Sequence, residues 1–128
     1  MGQPAAKEGD MVTAVDTHIV IVDGVPVPEE LPFEGFIDNG LCETVLIEKR
    51  PAATVGSTAT NEPPHIPEGG PFEVEPTNQA TIIKGSATVM IGGKPAARAG
   101  DTALTCNDPA PLPIGTVVVD ESTVLIGG

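Results

Sequence analysis

One stretch of this chain occurs more than once, and a recurring unit narrows the fold more than any single motif can. Residues Gly85 to Asp101 read GSATVMIGGKPAARAGD. The run Thr88-Val89-Met90-Ile91 favours a strand, and Gly92-Gly93 supplies the positive φ that a tight two-residue turn needs. Pro95 has no N–H to donate and suits the first residues of a returning strand. Cys42 to Ser57, CETVLIEKRPAATVGS, matches Ser86 to Asp101. Its strand is Thr44-Val45-Leu46-Ile47, its turn Glu48-Lys49 and its return Pro51-Ala52-Ala53. A third copy is split between the ends of the chain, as MGQPAAKEGD at the start and STVLIGG at the finish. Both ends therefore fall at the turn of one hairpin, and the last strand is expected to pair with the first. With repeat halves at about 1–10 plus 121–128, 42–57 and 86–101, residues 1–128 are expected to form one domain with pseudo-threefold symmetry.

Composition agrees with strands. The 128 residues include 15 Gly and 14 Pro, which helix interiors do not tolerate, and no stretch shows a capped 3.6-residue apolar period. Phe33, Phe36 and Phe72 are the only aromatic residues, so Val, Ile, Leu and Ala must fill the interior. Met11 to Ile21 carries apolar Val12, Val15, Ile19 and Ile21 with His18 among them. The connections read as long irregular loops: Asp23 to Asn39, rich in Pro and acids, Thr58 to Asn78, and the shortest, Cys106 to Val117. Loops of that length usually carry function.

A formal charge of −12 with six scattered cations excludes a phosphate-binding face, hence nucleic acid, and an anionic membrane surface would repel the chain. No signal peptide and no long apolar run are seen, so synthesis in the bacterial cytoplasm is expected. In that compartment Cys42 and Cys106 are expected as a thiol or a metal ligand rather than a disulfide. No nucleophile stands at motif spacing from a His and an acid, and the glycine runs lack the Lys-Ser/Thr of a phosphate loop, so no catalytic or organic-cofactor residues are assigned.

Metal ligands are another matter. His18 follows Pro4 by fourteen residues, His65 follows Pro51 by fourteen, and Cys106 follows Pro95 by eleven. One imidazole or thiol per copy at near-equal offsets would converge on the symmetry axis and supply three corners of a zinc tetrahedron. Zinc held by His18, His65 and Cys106 is therefore the expected cofactor.

Pro-Ala-Ala-Lys at Pro4, Pro-Ala-Ala-Thr at Pro51 and Pro-Ala-Ala-Arg at Pro95, each followed by Gly-Asp or Gly-Ser, resemble the PAAR-repeat family over essentially the whole chain. The resemblance implies a cone-shaped cap on the trimeric spike (VgrG type) of a contractile injection machine: a type VI secretion system, a phage tail or an extracellular particle. One cap would sit on three spike chains, non-enzymatic, aiding puncture of the target envelope after assembly on the particle. Strand edges and Val45, Ile47, Val89, Ile91, Val124 and Ile126 are candidates for its base or the core beneath. Some members carry effector cargo; this chain, ending at the repeat boundary, is expected to carry no such extension. The family's tip metal is held by three histidines and a cysteine. Here the third histidine is absent, and Glu29, Glu30, Cys42 or a water is expected at the fourth corner. An open corner also admits a small zinc-dependent enzyme or metal-binding module as the alternative.

Overall fold

The structure, a computed structural model describing residues 2–128, is all-β, with no helix among the described residues. Met1, assigned above to the first repeat half and to the domain, lies outside the described residues. Three small two-stranded ladders lie at one end of the molecule. They pair β1 (Gln3–Pro4) with β12 (Leu125–Ile126), β4 (Cys42–Ile47) with β5 (Arg50–Ala52), and β8 (Met90–Ile91) with β9 (Lys94–Pro95). The first of these joins the two ends of the chain, with Gln3 opposite Ile126 and Pro4 opposite Leu125. In the other two the turn residues lie in the left-handed region, at φ 60° and 83° for Gly92-Gly93 and 51° and 68° for Glu48-Lys49. Both positions of a type I′ turn need that conformation, which matches the twist of the flanking strands.

The Pro-Ala-Ala segments meet in the middle and bond to one another in a ring. Ala6 N donates to Ala97 O (3.0 Å), Ala97 N to Ala53 O (3.1 Å), and Ala53 N to Ala6 O (3.0 Å). One turn outward the proline carbonyls accept in the opposite cyclic sense: Glu8 N to Pro51 O, Val55 N to Pro95 O and Ala99 N to Pro4 O, each 2.9 Å. The three ring alanines are buried. The Gly-Asp and Gly-Ser tails have their own role. Gly9, Gly56 and Gly100 turn the chain at φ 90°, 97° and 88°, so the next side chain folds back onto a backbone N–H. Asp10, Ser57 and Asp101 accept from the N–H of Lys7 (3.0 Å), Thr54 (3.0 Å) and Arg98 (2.8 Å). Below the ring, Ala5, Ala52 and Ala96 pack with Ile47, Ile91 and Ile126 in one apolar cluster. Above it, Ala6, Ala53 and Ala97 belong to a larger cluster with Val12, Phe33, Ile37, Ile82 and Val117.

That larger cluster fills a closed six-stranded barrel, and here the expectation of long irregular loops is overturned. The barrel runs β10 (Thr102–Thr105), β11 (Leu112–Val118), β2 (Met11–Val22), β3 (Val25–Asn39), β6 (Thr58–Asn61), β7 (Gln79–Ile82) and back to β10. Asp23 to Asn39, read as a loop because of its prolines, is almost wholly the strand β3, paired with β2 from Val22↔Val25 to Met11↔Phe36. Asp23 and Gly24, at φ 51° and 77°, make a two-residue turn. The prolines are tolerated because they share one parity. Val22 and Val25 flank the two-residue turn as a hydrogen-bonded pair, so odd-numbered residues of β3 bond to β2 and even-numbered ones direct their N–H away. Pro26, Pro28 and Pro32 are all even and cost the ladder nothing. The even residue Glu34 confirms the direction, since its N–H points away from β2 to Asn61 Oδ1 (2.8 Å). Odd residues also face inward: Phe33, Gly35 and Ile37 are buried, and a Cβ on Gly35 would stand 2.6 Å from the Phe33 ring. The third connection likewise supplies β11. The second keeps an irregular middle, residues 62–78, touching the β2–β3 arm where Ile21 N donates to Pro71 O (2.8 Å) and Glu73 N to Ile19 O (2.8 Å).

Candidate metal centre

Strand β2 runs from the barrel core outward with its even-numbered residues inside. Val12 belongs to the core, Asp16 and His18 come next, and Val20 closes the row, all buried. Two polar residues separated by one position on a strand share a face, so Asp16 and His18 enter the interior together. Cys106 arrives from the residue after β10, and His65 from the irregular middle of the second connection. The backbone N–H of His65 donates to Asn78 Oδ1 at 2.8 Å, which pins the loop. One ligand atom from each of Asp16, His18, His65 and Cys106 lies within 4.8 Å of the others, a group that could hold a metal ion. Phe72 stands edge-on to His18, with ring centroids 5.7 Å apart, and Phe33 to His65 at 6.1 Å. Two of the three aromatic rings thus flank the cluster.

Neighbouring donor atoms lie 3.1 Å apart for His65 Nε2 and Asp16 Oδ2, 3.5 Å for Cys106 Sγ and Asp16 Oδ2, 3.8 Å for Cys106 Sγ and His18 Nε2, and 3.9 Å for His18 Nε2 and Asp16 Oδ2. Around an ion bonded at about 2.0–2.3 Å, tetrahedral neighbours would stand roughly 3.3–3.8 Å apart. The residues fit a four-coordinate metal.

The electrostatics fit as well. Burial pushes Asp16 up, but hydrogen bonds from His65, Thr105 and Cys106 together outweigh it and hold the carboxyl below its ordinary value. Thr105 Oγ1 donates to Asp16 Oδ1, so one carboxylate oxygen is tied down while Oδ2 faces the cluster. Burial lowers His18, helped by the neighbouring His65 and opposed by Asp16 and Asp108, which keeps the ring neutral. Burial and the charge of Asp16 push the Cys106 thiol up to about 11. A metal must displace that proton, since only the thiolate ligates.

His18, His65 and Cys106 are thus brought together. The fourth member is Asp16, in place of Glu29, Glu30, Cys42 or a water. Glu29 lies opposite His18 but turns its carboxylate outward to the N–H of Glu68 (3.2 Å), and Glu30 is exposed on the outer face. Cys42 lies at the ladder end, its thiol 3.4 Å from Thr44 Oγ1. Both cysteines are free. Asp16 carried a readable signal: an acid two residues before a histidine in an alternating run.

The family model described as PAAR motif matches residues 34–102 and 73–128, together most of the chain. The chain belongs to the PAAR-motif family. PAAR-motif proteins are structural spike-tip proteins of secretion systems. The first match covers the second and third Pro-Ala-Ala copies, and the next runs from the third copy to the strand that pairs with the first. No curated protein matches this sequence closely enough to count as a relative.

Proposed function

We propose that this protein is a zinc-stiffened, non-enzymatic cap, a single three-repeat domain seated one per trimer on the spike of a contractile injection apparatus. The observation that carries the reading is an apolar triplet at matching places in the three ladders. Leu46, Met90 and Leu125 are 59%, 59% and 63% exposed, while their neighbours Ile47, Ile91 and Ile126 are buried. Three exposed apolar side chains around a ring of three alanines suit a homotrimer sharing the axis. At the other end the metal centre ties β2, the second connection and the end of β10 together. Zinc bound only by the folded chain would stabilise it and stiffen the point where force concentrates on the target envelope. Two imidazoles, a thiolate and a carboxylate would hold it, and four protein donors form a closed, structural site rather than one with a corner open for substrate. That supports the cap over a small zinc enzyme. Cytoplasmic synthesis, assembly on the particle and delivery outward follow from the same reading.

Two measurements test it. Elemental analysis of protein never exposed to chelator should find about one zinc per chain, and well under half an equivalent would overturn the metal assignment. Native mass spectrometry with the spike protein should find one cap per three spike chains. Changing Leu46, Met90 and Leu125 together to Asp should abolish that complex with the melting temperature retained. A stable cap homodimer, or a complex indifferent to the triple change, would overturn the docking assignment.

A further inference from the structure

Two buried polar atoms beside the metal centre have no hydrogen-bond partner among the described residues: His18 Nδ1 and Asp108 Oδ2. They face each other at 3.5 Å, with the His18 side chain fully buried and that of Asp108 15% exposed. Buried polar atoms without partners are costly and uncommon, and two that confront one another call for an explanation. Asp108 is not there by accident of a loose loop. Its backbone N–H donates to Thr17 O (2.8 Å), the neighbouring Asn107 Oδ1 accepts from Thr17 N (2.7 Å), and Asn107 Nδ2 donates to Asp108 O (2.9 Å). The Asn107-Asp108 pair is thereby clamped to β2 at the residue next to His18.

The chemistry of the imidazole gives this placement a consequence. A neutral ring carries one proton, and the nitrogen without it offers the lone pair that a metal needs. A carboxylate can only accept, so Asp108 favours the proton on Nδ1 and leaves the Nε2 lone pair directed at Cys106 and Asp16. His65 is set the other way. Asn61 Oδ1 is occupied by the N–H of Glu34, which turns Asn61 Nδ2 toward His65 Nδ1 at 3.3 Å, an amide donor against the ring. His65 therefore keeps its proton on Nε2, directed at Asp16 Oδ2 (3.1 Å).

We propose that Asp108 is the positioning residue of the metal centre: it sets His18 as the preformed ligand, whereas His65 must move its proton from Nε2 to Nδ1 to join. A carboxylate bonded to the far nitrogen of a ligating histidine raises its basicity and fixes its orientation. Asp108 itself stands on the Nδ1 side of the ring, away from the four donor atoms. The inference rests on the metal reading above, and its test has an arm that does not.

In metal-free, ¹⁵N-labelled protein at about pH 8, above the ordinary imidazole range, ring nitrogen shifts should show His18 as the Nδ1–H tautomer and His65 as Nε2–H. Asp108→Ala should erase the His18 preference. In zinc competition against a chromophoric chelator, Asp108→Ala should bind roughly 10–100-fold more weakly, with the metal-free melting temperature unchanged. Asp108→Asn, whose amide oxygen still accepts, should recover part of the loss. An Nε2–H His18 in the unaltered chain, or equal zinc affinity in Asp108→Ala and the unaltered chain, would overturn the assignment. Absence of zinc binding by the unaltered chain would instead overturn the metal reading and leave the tautomer arm to decide this one.

Discussion

The ladder end and the metal end of this molecule are built from the same three copies by opposite means. At the ladder end the backbone bonds of the central ring occur three times in cyclic order, and side chains vary around it: Lys7, Thr54 and Arg98 stand at matching places, as do Asp10, Ser57 and Asp101. At the metal end no two copies contribute alike. The first sends one long strand carrying both Asp16 and His18, the second an irregular loop with His65, the third Cys106 from just past a short strand. Three copies of one ligand can supply three corners of a tetrahedron. Here the fourth donor, Asp16, would come from strand alternation in a single copy. Repetition suits a surface that must meet a repeated partner, and departure from repetition suits a site whose coordination number is not a multiple of three.

The severest way to break the ladder end is to remove its seam. Deleting residues 123–128 takes away the partner of β1, the buried Ile126, the bond from Ala5 N to Val124 O (2.8 Å) and that from Arg98 Nη1 to Gly127 O (3.1 Å). Truncating one buried Ile costs about 2–5 kcal/mol, and domains of this size have only about 5–15 kcal/mol in all. The truncated chain should lose its cooperative thermal transition by circular dichroism. Native-like melting would mean that the terminal pairing contributes little.

A smaller change asks whether the three copies are interchangeable. Asp10 and Asp101 are neutralised by Lys7 and Arg98, at 3.0 Å and 2.9 Å, but Ser57 has Thr54 for its neighbour. Ser57 is fully buried and donates to Gly40 O at 2.8 Å. Ser57→Asp should therefore leave a buried carboxylate unpaired and destabilise by about 3–5 kcal/mol. Adding Thr54→Arg should return part of that, because it recreates the third copy's pair in the second. Chemical denaturation of the single and double variants measures both. A harmless Ser57→Asp, or a double variant no better than the single, would show the backbone match to be unmatched in energy.

The smallest expected effect is a pH dependence at the seam. Hydrogen bonds from Thr123, through Oγ1 (2.5 Å) and N (2.8 Å), hold the Glu48 carboxyl below its ordinary value. A carboxyl lowered on folding binds fewer protons in the folded state, so its contribution is present above the unfolded pKa and fades as pH falls through the folded one. The melting temperature of Glu48→Gln should lie slightly below that of the unaltered chain at neutral pH, with the gap closing in acid. The exposure of Glu48 keeps the gap narrow. A gap independent of pH would place the effect in the turn conformation instead.

What the sequence disclosed, and what it hid, follows the same division. Gly92-Gly93, the Pro-Ala-Ala runs and the alternation before them state backbone requirements directly, and those requirements are local. The strand β3 was hidden because three prolines in seven residues read as a loop. Asp23-Gly24 between two apolar runs and the shared parity of Pro26, Pro28 and Pro32 were the contrary signals. His18, His65 and Cys106 were visible through their offsets from the copies, which only a repeat can make meaningful. Asp16 was not, since an offset argument looks for one ligand per copy. Asp108 lies farther still from reading, because its role depends on which nitrogen of a ring it faces.

The prolines of β3 have one more consequence. Along the outward flank of that strand, between Val25 and Pro32, four positions would direct an amide to solvent, and three are proline, leaving Glu30 alone. An open flank with free amides is a template on which another chain's strand can pair. This one is mute, and the single amide it keeps is guarded by a charge. Such a strand resists edge-to-edge pairing between copies of the chain without giving up a single bond of its own ladder.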